Sequence, residues 1–292
     1  MRIINLTAKL IFLLCILNTL PGNSQGKVIE QNSLESKILG TSVKFSIYLP
    51  ADYFNSDRLY PVLYLLHGHT DNETAWVQYG EVNLTADKLI ANRDIPPMII
   101  VMPDAGESWY INNYNGKVKY EEFFFSEFIP YIEKTYRIRN KKEFRAIGGL
   151  SMGGYGSLLY AMKHPDMFSV CLPFSAGVHT DTEMKEKYLK NDAGTFAIYG
   201  SLKGDTLSDV YRKNSILDLA KTLPKEQLSS VKYYIDCGDK DYLIEGNCDL
   251  HLDLKERGIP HEFRVREGEH NWSYWRVSII DGLKFLGQSI RR

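Results

Sequence analysis

Hydrophobic and polar positions along the chain follow two different patterns. Val43, Phe45, Ile47 and Leu49 alternate with polar or small residues, the period of two expected of a strand with one buried face. The stretch before it, residues 28–39, reads as its antiparallel edge partner. From residue 60 the alternation stops. Pro61-Val62-Leu63-Tyr64-Leu65-Leu66 is apolar throughout and ends at His67-Gly68, as in a strand covered on both faces. Residues 98–102 repeat this before Pro103-Asp104, further apolar runs sit at 144–148, 170–174 and 231–237, and 262–265 reads as a last strand. Helical patterns lie between them, at about 83–93, 120–136, 152–164, 215–222, 245–257 and 272–288; in the second, Phe124, Phe128, Ile129 and Ile132 share a face. Buried strands alternating with amphipathic helices predict an α/β fold: a mainly parallel central sheet with helices on both faces. Without repeats or a linker, residues 25–292 are expected to form one domain. The polar, charged stretch 178–212 breaks the rhythm. It is expected to be a short insertion over the C-terminal edge of the sheet, where open α/β sheets bind ligands.

The N-terminal residues follow another rule. Arg2 and Lys9 precede Leu10-Ile11-Phe12-Leu13-Leu14-Cys15-Ile16-Leu17, which Asn18, Pro21 and Gly22 interrupt. A basic start, a short apolar run and small residues around Gly22-Asn23-Ser24 read as a signal peptide over residues 1–24. The apolar run is far shorter than the roughly 20 residues that cross a bilayer. A secreted or periplasmic protein is therefore expected, with no transmembrane segment in the mature chain.

Composition narrows the function. With 44% hydrophobic and 24% charged residues over 292 positions, the chain is neither disordered, collagenous nor a coiled coil. Its 35 basic and 36 acidic residues lack the basic excess that gripping nucleic acid requires. Beyond the leader three cysteines remain, Cys171, Cys237 and Cys248, enough for one disulfide at most. Cys237 and Cys248 are close enough in sequence to pair, and all three read equally well as small buried hydrophobes. No CxxC pair gives the usual spacing of a zinc site.

Candidate chemistry begins at Gly149-Leu150-Ser151-Met152-Gly153, flanked by Gly148 and Gly154. It follows an apolar run and opens a helical pattern, the strand–turn–helix setting of a nucleophile elbow. The turn forces the serine into a strained backbone conformation, and glycine on either side removes the Cβ atoms that would collide. A serine nucleophile needs a base, and in this fold the order is serine, acid, histidine. Of seven histidines, His270 lies after the last strand pattern and before the terminal helix; His261 enters that strand instead. The acid belongs after the run 231–237, where Gly238-Asp239-Lys240-Asp241 follows. Asp241 is best placed to reach back to the histidine, with Asp239 second. Its carboxylate would fix the imidazole tautomer and stabilise the imidazolium. Oxyanion donors are expected from the backbone N–H of Met152 and from the loop His67-Gly68-His69-Thr70, with the N–H of His69 as the candidate. His67-x-His69 lacks a third ligand, so metal binding is the weaker reading and no cofactor is needed. Asp104 either shapes the cleft or caps its own loop.

These residues carry a resemblance. Leu65-Leu66-His67-Gly68, Met102-Pro103-Asp104-Ala105-Gly106, Ser108-Trp109-Tyr110, Gly149-Leu150-Ser151-Met152-Gly153-Gly154, His164-Pro165-Asp166-Met167-Phe168 and Gly268-x-His270-x-Trp272 with Trp275 resemble, in order over nearly the whole mature chain, an esterase family of α/β-hydrolases. That family is related to feruloyl and acetylxylan esterases of carbohydrate esterase family 1, tributyrin esterases, mycolyltransferases and S-formylglutathione hydrolases. The resemblance implies Ser151 as nucleophile, His270 as base, Asp241 as orienting acid, and His69 and Met152 as oxyanion donors. One departure is Glu269-His270-Asn271, where related esterases often carry a small residue, histidine and aspartate. Export argues against a cytosolic thioester substrate, and nothing marks a long groove for mycolyl chains. The expected substrate is a feruloyl or acetyl ester on plant oligosaccharide or polysaccharide. Trp109, Tyr110 and Trp272 are the expected contacts, among aromatics that include Trp76 and Tyr114. A general small-acyl carboxylesterase is the alternative. A non-catalytic carbohydrate-binding relative and a peptidase on the same scaffold are the readings from other classes.

Overall fold

The structure, a computed structural model, describes residues 25–290. The leader read at residues 1–24 lies outside them. Eight strands form one sheet in the order β1-β2-β4-β3-β5-β6-β7-β8: β1 (Lys27–Ser36), β2 (Thr41–Leu49), β3 (Val62–Leu66), β4 (Ile99–Pro103), β5 (Arg145–Leu150), β6 (Val170–Phe174), β7 (Lys232–Gly238) and β8 (His261–Arg266). β1 and β2 make the expected antiparallel edge, and β2 runs antiparallel to β4. Every other pairing is parallel.

The uninterrupted apolar runs have a direct cause. In β3, Val62, Tyr64 and Leu66 point into one core while Leu63 and Leu65 point into the other, so no position faces water. On the first side, Phe124, Phe128 and Tyr160 pack against the sheet. On the second, Leu89 of the helix Val82–Ala91 and Ile279 and Leu283 of the helix Trp272–Ile290 close it. Because β3, β5, β6, β7 and β8 are parallel, the loops that leave them emerge at one edge. Those loops hold His67, Ser151, Ser175, Asp241 and His270.

Three expectations need revision or detail. The pattern at 120–136 is not one α-helix but Tyr120–Phe123, a π-helical segment Phe124–Phe128, and Ile129–Thr135. Pro130 has no N–H to offer the Ser126 carbonyl four residues back, so the ladder is re-spaced there. The 178–212 stretch is mostly helical: Asp181–Leu189, Ala193–Tyr199 and Asp209–Asn214, each started by a polar side chain. Thr180, Asp192 and Ser208 accept the backbone N–H of Glu183, Thr195 and Tyr211. Cys171, Cys237 and Cys248 are all free thiols, so the possible pairing of the last two is not made.

Candidate active site

Ser151 sits between β5 and the helix Met152–Lys163 at φ 53° and ψ −117°, a conformation costly for any residue with a Cβ. The neighbouring glycines make it possible. A Cβ on Gly149 would lie 2.5 Å from the Gly153 carbonyl oxygen, and one on Gly153 would lie 2.4 Å from that of Leu66. The turn is also tied to β6: the Ser151 N–H donates to Phe174 O at 3.0 Å, and the Gly177 N–H donates to Ser151 O at 2.9 Å. Met152 is the first helical residue, so its N–H has no acceptor within the helix and adds to the positive end of the helix dipole beside the serine.

His270 lies in the loop after β8. The Asn271 side chain accepts the Tyr274 N–H at 3.1 Å and starts the helix that follows. His270 Nε2 is 2.9 Å from Ser151 Oγ, and Nδ1 is 3.0 and 2.9 Å from the two Asp241 oxygens. A carboxylate only accepts, so Nδ1–H donates to it and Nε2 is left to accept the serine hydroxyl proton. Trp275 stands edge-on to the imidazole at 4.9 Å, and its indole N–H donates to Ser175 Oγ. Asp241 is 1% exposed. Burial by itself would raise its pKa; the bonds from His270 and the Leu243 N–H, the imidazole charge and the Ser175 hydroxyl outweigh it and hold the carboxyl below its ordinary value. Asp239 instead accepts the Gly268 N–H at 2.9 Å and latches the β7 and β8 loops together.

The loop after β3 approaches the serine closely, since a Cβ on Gly68 would be 2.6 Å from Leu150 Cδ1 and 3.6 Å from Ser151 Cβ. Buried His67 anchors this loop. Its Nε2 accepts the Ala105 N–H at 2.9 Å, so Nδ1 carries the proton and donates to Gly68 O at 2.8 Å. Asp104 Oδ1 accepts the Gly106 N–H at 2.9 Å, the loop-capping arrangement.

A cleft of about 330 Å³ opens over Ser151, lined on the sheet side by His69, Glu107, Trp109 and Tyr242 and on the other by His179 and the helices of the insertion. Of the three expected ligand contacts, Trp109 is there, its ring 5.9 Å from that of His179 and 5.4 Å from that of Tyr155. Tyr110 is fully buried and donates its hydroxyl to His67 O, so it supports the loop rather than a ligand. Trp272 does not line the cleft; it packs against Trp76, Tyr79 and Trp275 behind the histidine loop. Trp76 is buried and donates its indole N–H to Leu66 O, while exposed Tyr114 lies beside Gly200. Sequence reasoning missed Glu107, His179 and Tyr242. Only Tyr242 carried a signal, its place directly after Asp241. His179 is half-buried, and its Nδ1 is shielded from solvent without a hydrogen-bond partner among the described residues. Desolvation, with the nearby Lys187 charge and against that of Asp192, pushes its pKa down to about 3.

The sheet order, the strained serine turn and the imidazole between serine and buried carboxylate place the molecule among the α/β-hydrolases. Comparison with known proteins refines this. A family model described as "Putative esterase" matches residues 36–286. An acetyl esterase of Caldicellulosiruptor saccharolyticus is 27% identical over 270 residues, covering 89% of this chain and 98% of that protein. An endo-1,4-beta-xylanase/feruloyl esterase of Xylanibacter ruminicola is 35% identical over 257 residues, 85% of this chain but only 30% of that longer protein. The solved structure of a ferulic acid esterase superposes with a TM-score of 0.80 at 33% identity, covering 91% of this chain and 99% of the other. The chain belongs to this esterase family and is a carboxylic ester hydrolase.

Proposed function

We propose that the protein is an exported serine esterase that removes feruloyl or acetyl groups from plant polysaccharide through an acyl-enzyme. The observation that carries the reading is the imidazole of His270 within hydrogen-bond reach of both Ser151 Oγ and the Asp241 carboxylate. His270 takes the serine proton as Oγ attacks the ester carbonyl, and Asp241 holds the imidazole in the right tautomer and stabilises the imidazolium. The oxyanion of the tetrahedral adduct rests on the N–H groups of Met152 and His69. The imidazolium then gives its proton to the leaving alcohol, and water repeats the cycle on the acyl-serine.

The substrate side of the proposal draws support from relatives named as acetyl esterase and feruloyl esterase, and from Trp109 as a flat wall for an aromatic acyl group. Export rests on the leader pattern in residues 1–24; among the described residues no helix is long and apolar enough to cross a membrane. A small-acyl carboxylesterase is the second reading, favoured by the end-to-end match to the acetyl esterase. Release assays on methyl ferulate, acetylated xylan and p-nitrophenyl acetate, with Ser151→Ala as control, separate the two. Turnover of the first two is expected; activity confined to p-nitrophenyl acetate would replace the polysaccharide reading with the second. Equal activity in Ser151→Ala would end both.

A further inference from the structure

Tyr242 directly follows Asp241 and leaves 69% of its surface exposed, although aromatic side chains of its size are mostly buried in this molecule. What it touches is the catalytic group. Its ring lies 4.6 Å from that of His270, tilted by 49°, and it lines the cleft beside Ser151. A phenol hydroxyl at that cleft can donate a hydrogen bond to an oxygen bound there. Contact with the imidazole also fixes the side from which Tyr242 acts. It is the side from which the imidazolium returns its proton, whereas the Met152 N–H and the Gly68 loop serve the carbonyl oxygen.

We propose that Tyr242 is a further catalytic residue, whose O–H donates a hydrogen bond to the departing alcohol oxygen as the tetrahedral adduct collapses. In that step the bond between the acyl carbon and the alcohol oxygen breaks and its electron pair goes to that oxygen. The proton comes from Nε2 of His270, and Tyr242 keeps its own, supplying only a hydrogen bond to the developing negative charge. The assignment rests on the esterase reading above. It has a consequence that simple packing lacks: the bond matters most when the leaving oxygen is strongly basic, as in a sugar or alkyl alkoxide, and least for a nitrophenolate.

The test compares Tyr242→Phe with the wild-type chain on an alkyl ester and a p-nitrophenyl ester of the same acyl group. Phenylalanine retains the ring against His270 and removes the hydroxyl. The expected result is a fall in kcat/KM on the order of tenfold for the alkyl ester and a clearly smaller fall for the p-nitrophenyl ester. Tyr242→Ala should add a further loss shared by both esters, because it also uncovers the imidazole. Fluorophosphonate labelling of Ser151 in each variant verifies that the triad is assembled. Equal losses on the two esters, or no loss in Tyr242→Phe, would overturn the assignment. A wild-type chain that cleaves neither ester would defeat the esterase reading itself, before any variant is compared, and Tyr242's role with it.

Discussion

At the scale of single residues, the site depends on groups whose ionisation the surroundings determine. Asp241 is held charged below the ordinary carboxylate range although it is buried, because the bonds it accepts outweigh its desolvation. Asp241→Asn removes the acceptor that selects the His270 tautomer, and kcat on any ester is expected to fall by roughly 10³–10⁴ with little change in KM. Steady-state kinetics check this; a large rise in KM at preserved kcat would assign Asp241 to binding instead. His179 shows the opposite strategy, a half-buried imidazole kept neutral. Its folded pKa, pushed down to about 3, lies below the ordinary 6.5, so its contribution to stability is complete above pH 6.5 and is lost as the pH falls from there towards 3. Over the span from pH 7 to 4.5 the wild-type Tm is therefore expected to drop by a few degrees more than that of His179→Gln. Parallel Tm curves would show that His179 does not titrate between the folded and unfolded states.

At the scale of elements, the helix Asp181–Leu189 brings Met184 and Lys187 to the cleft and depends on its cap. Thr180 and Glu183 exchange side-chain and backbone bonds, and Tyr211 donates to His179 O just before them. Thr180→Ala is expected to weaken this helix by about 1 kcal/mol. Faster hydrogen exchange over 181–189 and a raised KM at unchanged kcat would report it; a reduced kcat at unchanged KM would contradict a binding role for the insertion. The same elements show how far the chain can be read from its letters. Strands buried on both faces announce themselves as unbroken apolar runs, and the glycines around Ser151 mark a turn that excludes Cβ atoms. That is enough to name the three residues the fold brings together. The helices within 178–212 are not legible, because their outward faces are charged and their short apolar stripes make no clear period. Glu107 and His179 are illegible for another reason: what places them is the packing of separate loops across the cleft, which local pattern does not record. Tyr110 and Trp272 mislead because an aromatic next to a site motif can face the cleft or, as both do here, brace it from behind.

At the scale of the whole molecule, the parallel strands do one thing for function: they deliver residues 67, 151, 175, 241 and 270 to a single edge, with two cores holding that edge rigid. In the mechanism proposed above this preorganisation serves Ser151, since the imidazole, the carboxylate and the helix end are in position before substrate arrives. The claim that everything else depends on is that the acyl group passes through Ser151. Acid quenching of the wild-type chain during turnover of methyl ferulate or p-nitrophenyl acetate, followed by mass spectrometry of its peptides, reads this directly. The mass of one acyl group on the peptide containing Ser151, lost on further incubation and never formed in Ser151→Ala, is the expected result. Steady ester cleavage with the acyl group on another residue, or undiminished in Ser151→Ala, would contradict it.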